Sequence, residues 1–86
     1  MNKEQEIIEV IRTKGEKDGD VSRIWLNLNG VCNIEGHTDV MCAHLGCDGI
    51  LTFQVNTPDD NSTIFVRIEE LPEDVVEKAY EQIMNY

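Results

Sequence analysis

The sequence predicts an α+β protein. The expected form is a two-layer sandwich, a five-stranded antiparallel meander with N- and C-terminal helices packed on one face (α-β-β-β-β-β-α). Three observations predict it. Apolar residues recur at helical spacing near both ends of the chain. Between residues 22 and 68 they alternate with period two instead. Turn-forming residues punctuate the alternation at Asn29-Gly30, Gly36-His37-Thr38, Cys47-Asp48-Gly49 and Pro58-Asp59-Asp60-Asn61. Two amphipathic helices each need a surface to cover, which implies layers. Eighty-six residues correspond to one domain, 1–86.

The first helix is expected over about residues 3–14. Ile7, Ile8, Val10 and Ile11 fall on one side of the wheel, and Gln5, Glu6, Glu9 and Arg12 on the other. Asn2 suits the N-cap, with Gln5 three residues on. Gly15 suits the stop. Residues 15–21 read as a polar loop. The last helix is expected over about 72–85, with Pro72 at its first position and Glu73 and Asp74 in the first turn. Val75, Val76, Ala79, Tyr80 and Ile83 form its apolar stripe.

The strands carry the inner rows Ile24, Leu26, Leu28; Met41, Ala43, Leu45; Leu51, Phe53, Val55; and Ile64, Val66, Ile68. Residues 31–35 form the weakest expected strand. A slip of one residue turns a strand over, so loop length can be tested against these rows. A three-residue loop at Cys47-Asp48-Gly49 sets Met41, Ala43 and Leu45 beside Leu51, Phe53 and Val55. It also places Gly49 where a left-handed residue is wanted. A four-residue loop at Pro58–Asn61 aligns that row with Ile64, Val66 and Ile68. An Asn29-Gly30 turn pairs Leu28 with Val31 and turns Asn33 and Glu35 inward, a local conflict. The same registers direct Trp25, Cys32, Ile34, Val40, Cys42, His44 and Phe65 to the outer face, with Cys32 opposite Cys42. Trp25, Ile34, Val40 and Phe65 there form either a contact surface or a second small core under a folded-over element.

All three cysteines and both histidines lie between residues 32 and 47. Thiolates and imidazoles are zinc ligands, so Cys32, Cys42, His44 and Cys47 are the residues a metal would use. Against this, no Cys-x-x-Cys knuckle is present. The principal expectation is therefore no cofactor, with zinc the alternative. A cysteine nucleophile beside His37 or His44 would need a lowered thiol pKa, and acidic neighbours such as Asp39 and Asp48 oppose that. No Gly-rich phosphate loop, nucleophile elbow or His-Glu-x-x-His helix occurs. Asp18, Asp20 and Ser22 have calcium-loop spacing, but Arg23 and Asn29 stand where such a loop needs Gly and Glu.

Seventeen acidic residues against seven basic ones give a net charge of −10. Phosphates and anionic lipid repel such a surface, so neither direct nucleic-acid binding nor membrane adsorption is expected. A basic protein is the partner it would attract. Glu73, Asp74, Glu77 and Glu81 form the exposed side of the last helix and are the candidate docking charges. The N-terminus has no apolar h-region, which with the odd cysteine count suggests reduced thiols in the cytoplasm. The expected function is a non-catalytic interaction or regulatory module, with homodimers within its scope. The alternatives are a zinc-binding module and, third, an enzyme of unindicated class.

Overall fold

Asn2 opens the first helix as expected: its side-chain oxygen accepts the Gln5 N–H at 2.8 Å. The structure, a computed structural model, describes residues 2–86. Helix α1 runs Lys3–Lys14 and buries Ile7, Ile8 and Ile11. It ends where the Gly15 N–H donates to the Ile11 carbonyl at 2.8 Å. The second helix, α2, runs Glu73–Met84 and buries Val75, Ala79 and Ile83. Pro72 is its N-cap, one position before the expected place; its carbonyl accepts from Val75 and Val76.

Five antiparallel strands form one sheet in chain order: β1 Glu16–Asp18, β2 Val21–Leu28, β3 Asp39–Leu45, β4 Leu51–Asn56 and β5 Thr63–Val66. The fold is the α+β layered architecture the periodicities implied. Two of its strand assignments differ from the sequence reading.

First, the expected polar loop 15–21 contributes β1, which pairs Glu16 with Arg23 and Asp18 with Val21 around a Gly19-Asp20 turn. Its three residues are exposed, so no apolar alternation marked it. Second, residues 31–35 are no strand. Strand β2 pairs directly with β3, Leu28 against Val40, and residues 29–38 are an excursion between them. Ile34 and His37 exchange backbone bonds at 2.9 and 3.0 Å around Glu35-Gly36. Both turn residues have positive φ, 51° and 81°, as a two-residue hairpin turn requires. That turn replaces the expected three-residue loop at Gly36–Thr38. It also removes the expected conflict, because Asn33 and Glu35 are exposed.

The β3–β4 and β4–β5 loops follow the apolar rows. Gly46 and Ile50 close the first around Cys47-Asp48-Gly49, and Gly49 has φ +81°. Ala43 stands opposite Phe53, Leu45 opposite Leu51, Phe53 opposite Val66 and Val55 opposite Ile64. Ile68 belongs to a short 3-10 helix, Ile68–Glu70, beyond the strand. Met41 departs from its expected inner row. It is the extra residue of a bulge: Cys42 pairs with Gln54 but Val40 with Val55. The extra residue rotates Val40 from the expected outer face into the core, where it is fully buried.

One apolar core joins the inner sheet rows to both helices. Phe53, Ile7, Ile11, Ile24 and Leu51 are its largest buried side chains. Polar ties fasten the layers. The Tyr80 hydroxyl donates to Glu6 at 2.7 Å, and Gln82 bonds the Asn27 backbone both ways, at 3.0 and 3.1 Å. Among the described residues no helix is long and apolar enough to cross a membrane.

Candidate functional site: the outer face of the sheet

Side chains alternate across each strand, so the residues between the inner rows line the opposite face. One cross-strand row there reads Trp25, Cys42, Gln54, Phe65, from β2 to β5. The neighbouring row reads Glu16, Arg23, His44, Thr52, from β1 to β4. Neither helix nor the 15–21 segment folds over these rows. Trp25 is 48% exposed and Phe65 58%. Of the two sequence-level alternatives for this face, the second small core is therefore excluded.

The four residues expected to share the face do not all reach it. Trp25 and Phe65 do. Val40 is in the inner core because of the Met41 bulge. Ile34 sits on the 29–38 excursion and packs, half-buried, against the core. Ile50 is exposed at the β3–β4 turn and joins the face from one side. A concavity of about 280 Å³ on this side is lined by Phe65, Ile50, His44, Thr52, Val21, Gly46 and Asp48. A second hollow, about 460 Å³, lies on the helical side along Gln5, Glu6, Glu9, Val10 and Met84.

The floor of the outer face is a hydrogen-bonded cluster. Cys42 Sγ lies 2.9 Å from His44 Nε2 and 3.3 Å from Gln54 Oε1. Gln54 donates through Nε2 to Asn56 Oδ1 at 3.2 Å, and that oxygen also accepts from the Thr63 hydroxyl at 3.0 Å. The Phe65 ring meets His44 edge-on, with centroids 5.4 Å apart. Arg23 lies over Trp25 at 5.5 Å and pairs with Asp18 of β1. That ion pair occupies the first acid of the calcium-like spacing.

The cysteines are unpaired and dispersed. Cys32 does not face Cys42. It is buried in the inner core, with Sγ 3.7 Å from the His37 carbonyl, and Trp25 takes the place opposite Cys42. Cys47 is exposed on the β3–β4 turn. The expected ligand set of Cys32, Cys42, His44 and Cys47 is thus split between two faces of the sheet and a turn. Among the described residues no three His, Cys, Asp or Glu side chains converge. His37 instead fastens the 29–38 excursion, with Nδ1 3.1 Å from the Ile34 carbonyl and Nε2 3.1 Å from the Ser62 hydroxyl.

The pair Cys42–His44 has the spacing of a nucleophile and base, but not the electrostatics. Burial pushes the Cys42 thiol up to about 11, against a smaller downward pull from Arg23. A thiol held neutral is a poor nucleophile.

The acidic residues Glu73, Asp74, Glu77 and Glu81 are all exposed on α2. Glu77 is not a free charge: Lys3 of α1 pairs with it at 2.5 Å. The sequence reading missed this cation because it comes from the other helix. It also missed Gln54, although period two on β4 places Thr52, Gln54 and Asn56 outward.

No protein-family model matches the chain, and no similar curated protein or solved structure was found.

Proposed function

We propose that this chain is a small non-catalytic interaction module whose partner, a protein, docks on the outer face of the sheet. One observation carries the reading: Trp25 and Phe65 stand exposed on a sheet face that no other element covers. Tryptophan and other large aromatics dominate the energetics of protein contacts when a partner desolvates them. The buried, neutral Cys42 thiol supports the non-catalytic side of the proposal. Three unpaired thiols support a reducing compartment, the cytoplasm. The test compares the wild type with Trp25→Ser and Phe65→Ser in pull-downs from native cytosol and in solution mass. Both variants should fold and melt cooperatively while losing the captured protein, or losing a dimer if the partner is a second copy. Unchanged capture and unchanged mass in both variants would overturn the reading.

The acidic side of α2 supports a second docking surface, for a basic protein. Glu73, Asp74, Glu77 and Glu81 all reach solvent there, and the net charge of −10 favours a cationic partner.

A further inference from the structure

We propose that Cys42, His44 and Gln54 form a three-donor site for a tetrahedral zinc ion at the centre of the outer face. Cys42 and His44 are two residues apart on β3 and so point the same way. Gln54 is the cross-strand partner of Cys42. Three donor atoms converge: Sγ to Nε2 at 2.9 Å, Sγ to Oε1 at 3.3 Å and Nε2 to Oε1 at 3.4 Å. Around zinc, with bonds of about 2.3 Å to sulfur and about 2.0–2.1 Å to nitrogen and oxygen, tetrahedral donors stand about 3.4–3.6 Å apart. Two of the three separations lie within about 0.3 Å of that triangle, and the third opens by about 0.6 Å through small side-chain rotations. A linear thiolate–imidazole site would need about 4.3 Å between sulfur and nitrogen, so the short bite selects tetrahedral geometry.

The amide is held for the part. Its N–H donates to Asn56, which Thr63 also engages, and this leaves Oε1 turned toward the sulfur and the imidazole. Outer bonds of this kind fix a ligand's orientation. His44 and Gln54 are partly exposed, whereas Cys42 lies beneath them. A solvent molecule supplies the fourth ligand. On binding, the Cys42 S–H bond breaks, sulfur bonds the metal and the proton passes to solvent. His44 takes the Nδ1–H tautomer, so that its Nε2 lone pair meets the ion. Two strong donors and one amide bind more weakly than a four-ligand structural site. The proposal does not depend on the docking reading, because an ion can bind with or without a partner.

The test is titration of the reduced, chelator-stripped full chain with Co²⁺, followed by Zn²⁺. A thiolate-to-cobalt charge-transfer absorption should saturate at one ion per chain and vanish when zinc displaces cobalt. Cys32→Ser and Cys47→Ser should keep it. His44→Asn should lose it. Gln54→Glu, which offers a carboxylate in place of the amide oxygen, should tighten binding roughly tenfold. Cys42→Ser should also lose the band; because that residue is buried and the variant can fail to fold, the partly exposed positions 44 and 54 decide the matter. No band, a band that survives His44→Asn, a band lost in Cys47→Ser, or unchanged affinity in Gln54→Glu would overturn the assignment.

Discussion

Trp25 and Phe65 stand at the two ends of one cross-strand row, joined through the pairs Trp25–Cys42, Cys42–Gln54 and Gln54–Phe65. Three strand spacings separate them, roughly 14 Å. Two exposed aromatics thus flank a polar floor held rigid by the sheet. The helices lie on the other face, so neither aromatic is needed to close the core.

That division of labour can be tested by comparing two phenylalanines. Phe53 is fully buried at the centre of the core, and Phe65 is mostly exposed. Phe53→Ala should lower unfolding free energy by about 3–5 kcal/mol. Phe65→Ala should lower it by less than about 1 kcal/mol. Urea denaturation of the two variants measures both. Equal losses would mean that the outer face is core after all.

Gly15 is required for space and not for its dihedrals. Its φ of −67° suits any residue. A Cβ there would lie 2.3 Å from the Ile11 carbonyl oxygen and 3.2 Å from that of Arg23. The turn from α1 into β1 must therefore shift to admit a methyl group. Gly15→Ala should cost about 1–3 kcal/mol, as overpacking does, despite the higher helix propensity of alanine. A neutral melting temperature would contradict the tight junction.

The thiols should separate by exposure and by pH. In chelator-treated native protein, Cys47 should react rapidly with a thiol reagent, and Cys32 and Cys42 only on unfolding. Burial raises the Cys42 thiol from 9.0 to about 11, so the folded state favours its protonated form. Its contribution is fully present below pH 9.0 and is lost as pH rises toward about 11. The loss is of the order of 2–3 kcal/mol. Tyr80 and Lys3 are also raised and titrate in the alkaline range. The readout is therefore the difference in slope between wild type and Cys42→Ala, which should lose stability less steeply with pH. Parallel curves would show that Cys42 is not held neutral.

The acidic side of α2 should matter to binding and hardly to stability. Glu77 and Glu81 are exposed, and the Lys3–Glu77 pair is a surface one, of the kind that contributes little. A chain with Glu77→Lys and Glu81→Lys should melt close to the wild type. Capture of a basic protein by the wild type should fall steeply with salt, and the reversed chain should not capture it. Identical capture by both chains at every salt concentration would leave this face as solvated surface.

Much of the fold was legible because alternation and loop length constrain each other. Once Gly49 was given the left-handed position, Ala43 had to meet Phe53, and it does. The errors have identifiable causes. Strand β1 carries Glu16, Lys17 and Asp18, all exposed, so no apolar residue recorded its pairing. Residues 31–35 alternate like a strand, yet the Glu35-Gly36 turn folds them back on themselves and β2 passes directly to β3. Uninterrupted pairing would send Val40 and Cys32 outward. A bulge at Met41 and the excursion turned both inward.

By itself, then, the sequence determined the two amphipathic helices, the Asn2 and Gly15 caps of the first, the antiparallel meander and the outward direction of Trp25 and Phe65. These follow from periodicity and turn chemistry, which are local properties of the chain. The tertiary structure alone decided that nothing folds over those two aromatics, and which side chains meet. It brought Gln54 to Cys42 and His44 across a strand pair, set Lys3 beside Glu77 across two helices, and kept Cys32 apart from Cys42. The reason is geometric: contact between distant residues depends on register, and one inserted residue, which leaves no mark in composition or periodicity, moves a side chain from one face of the sheet to the other.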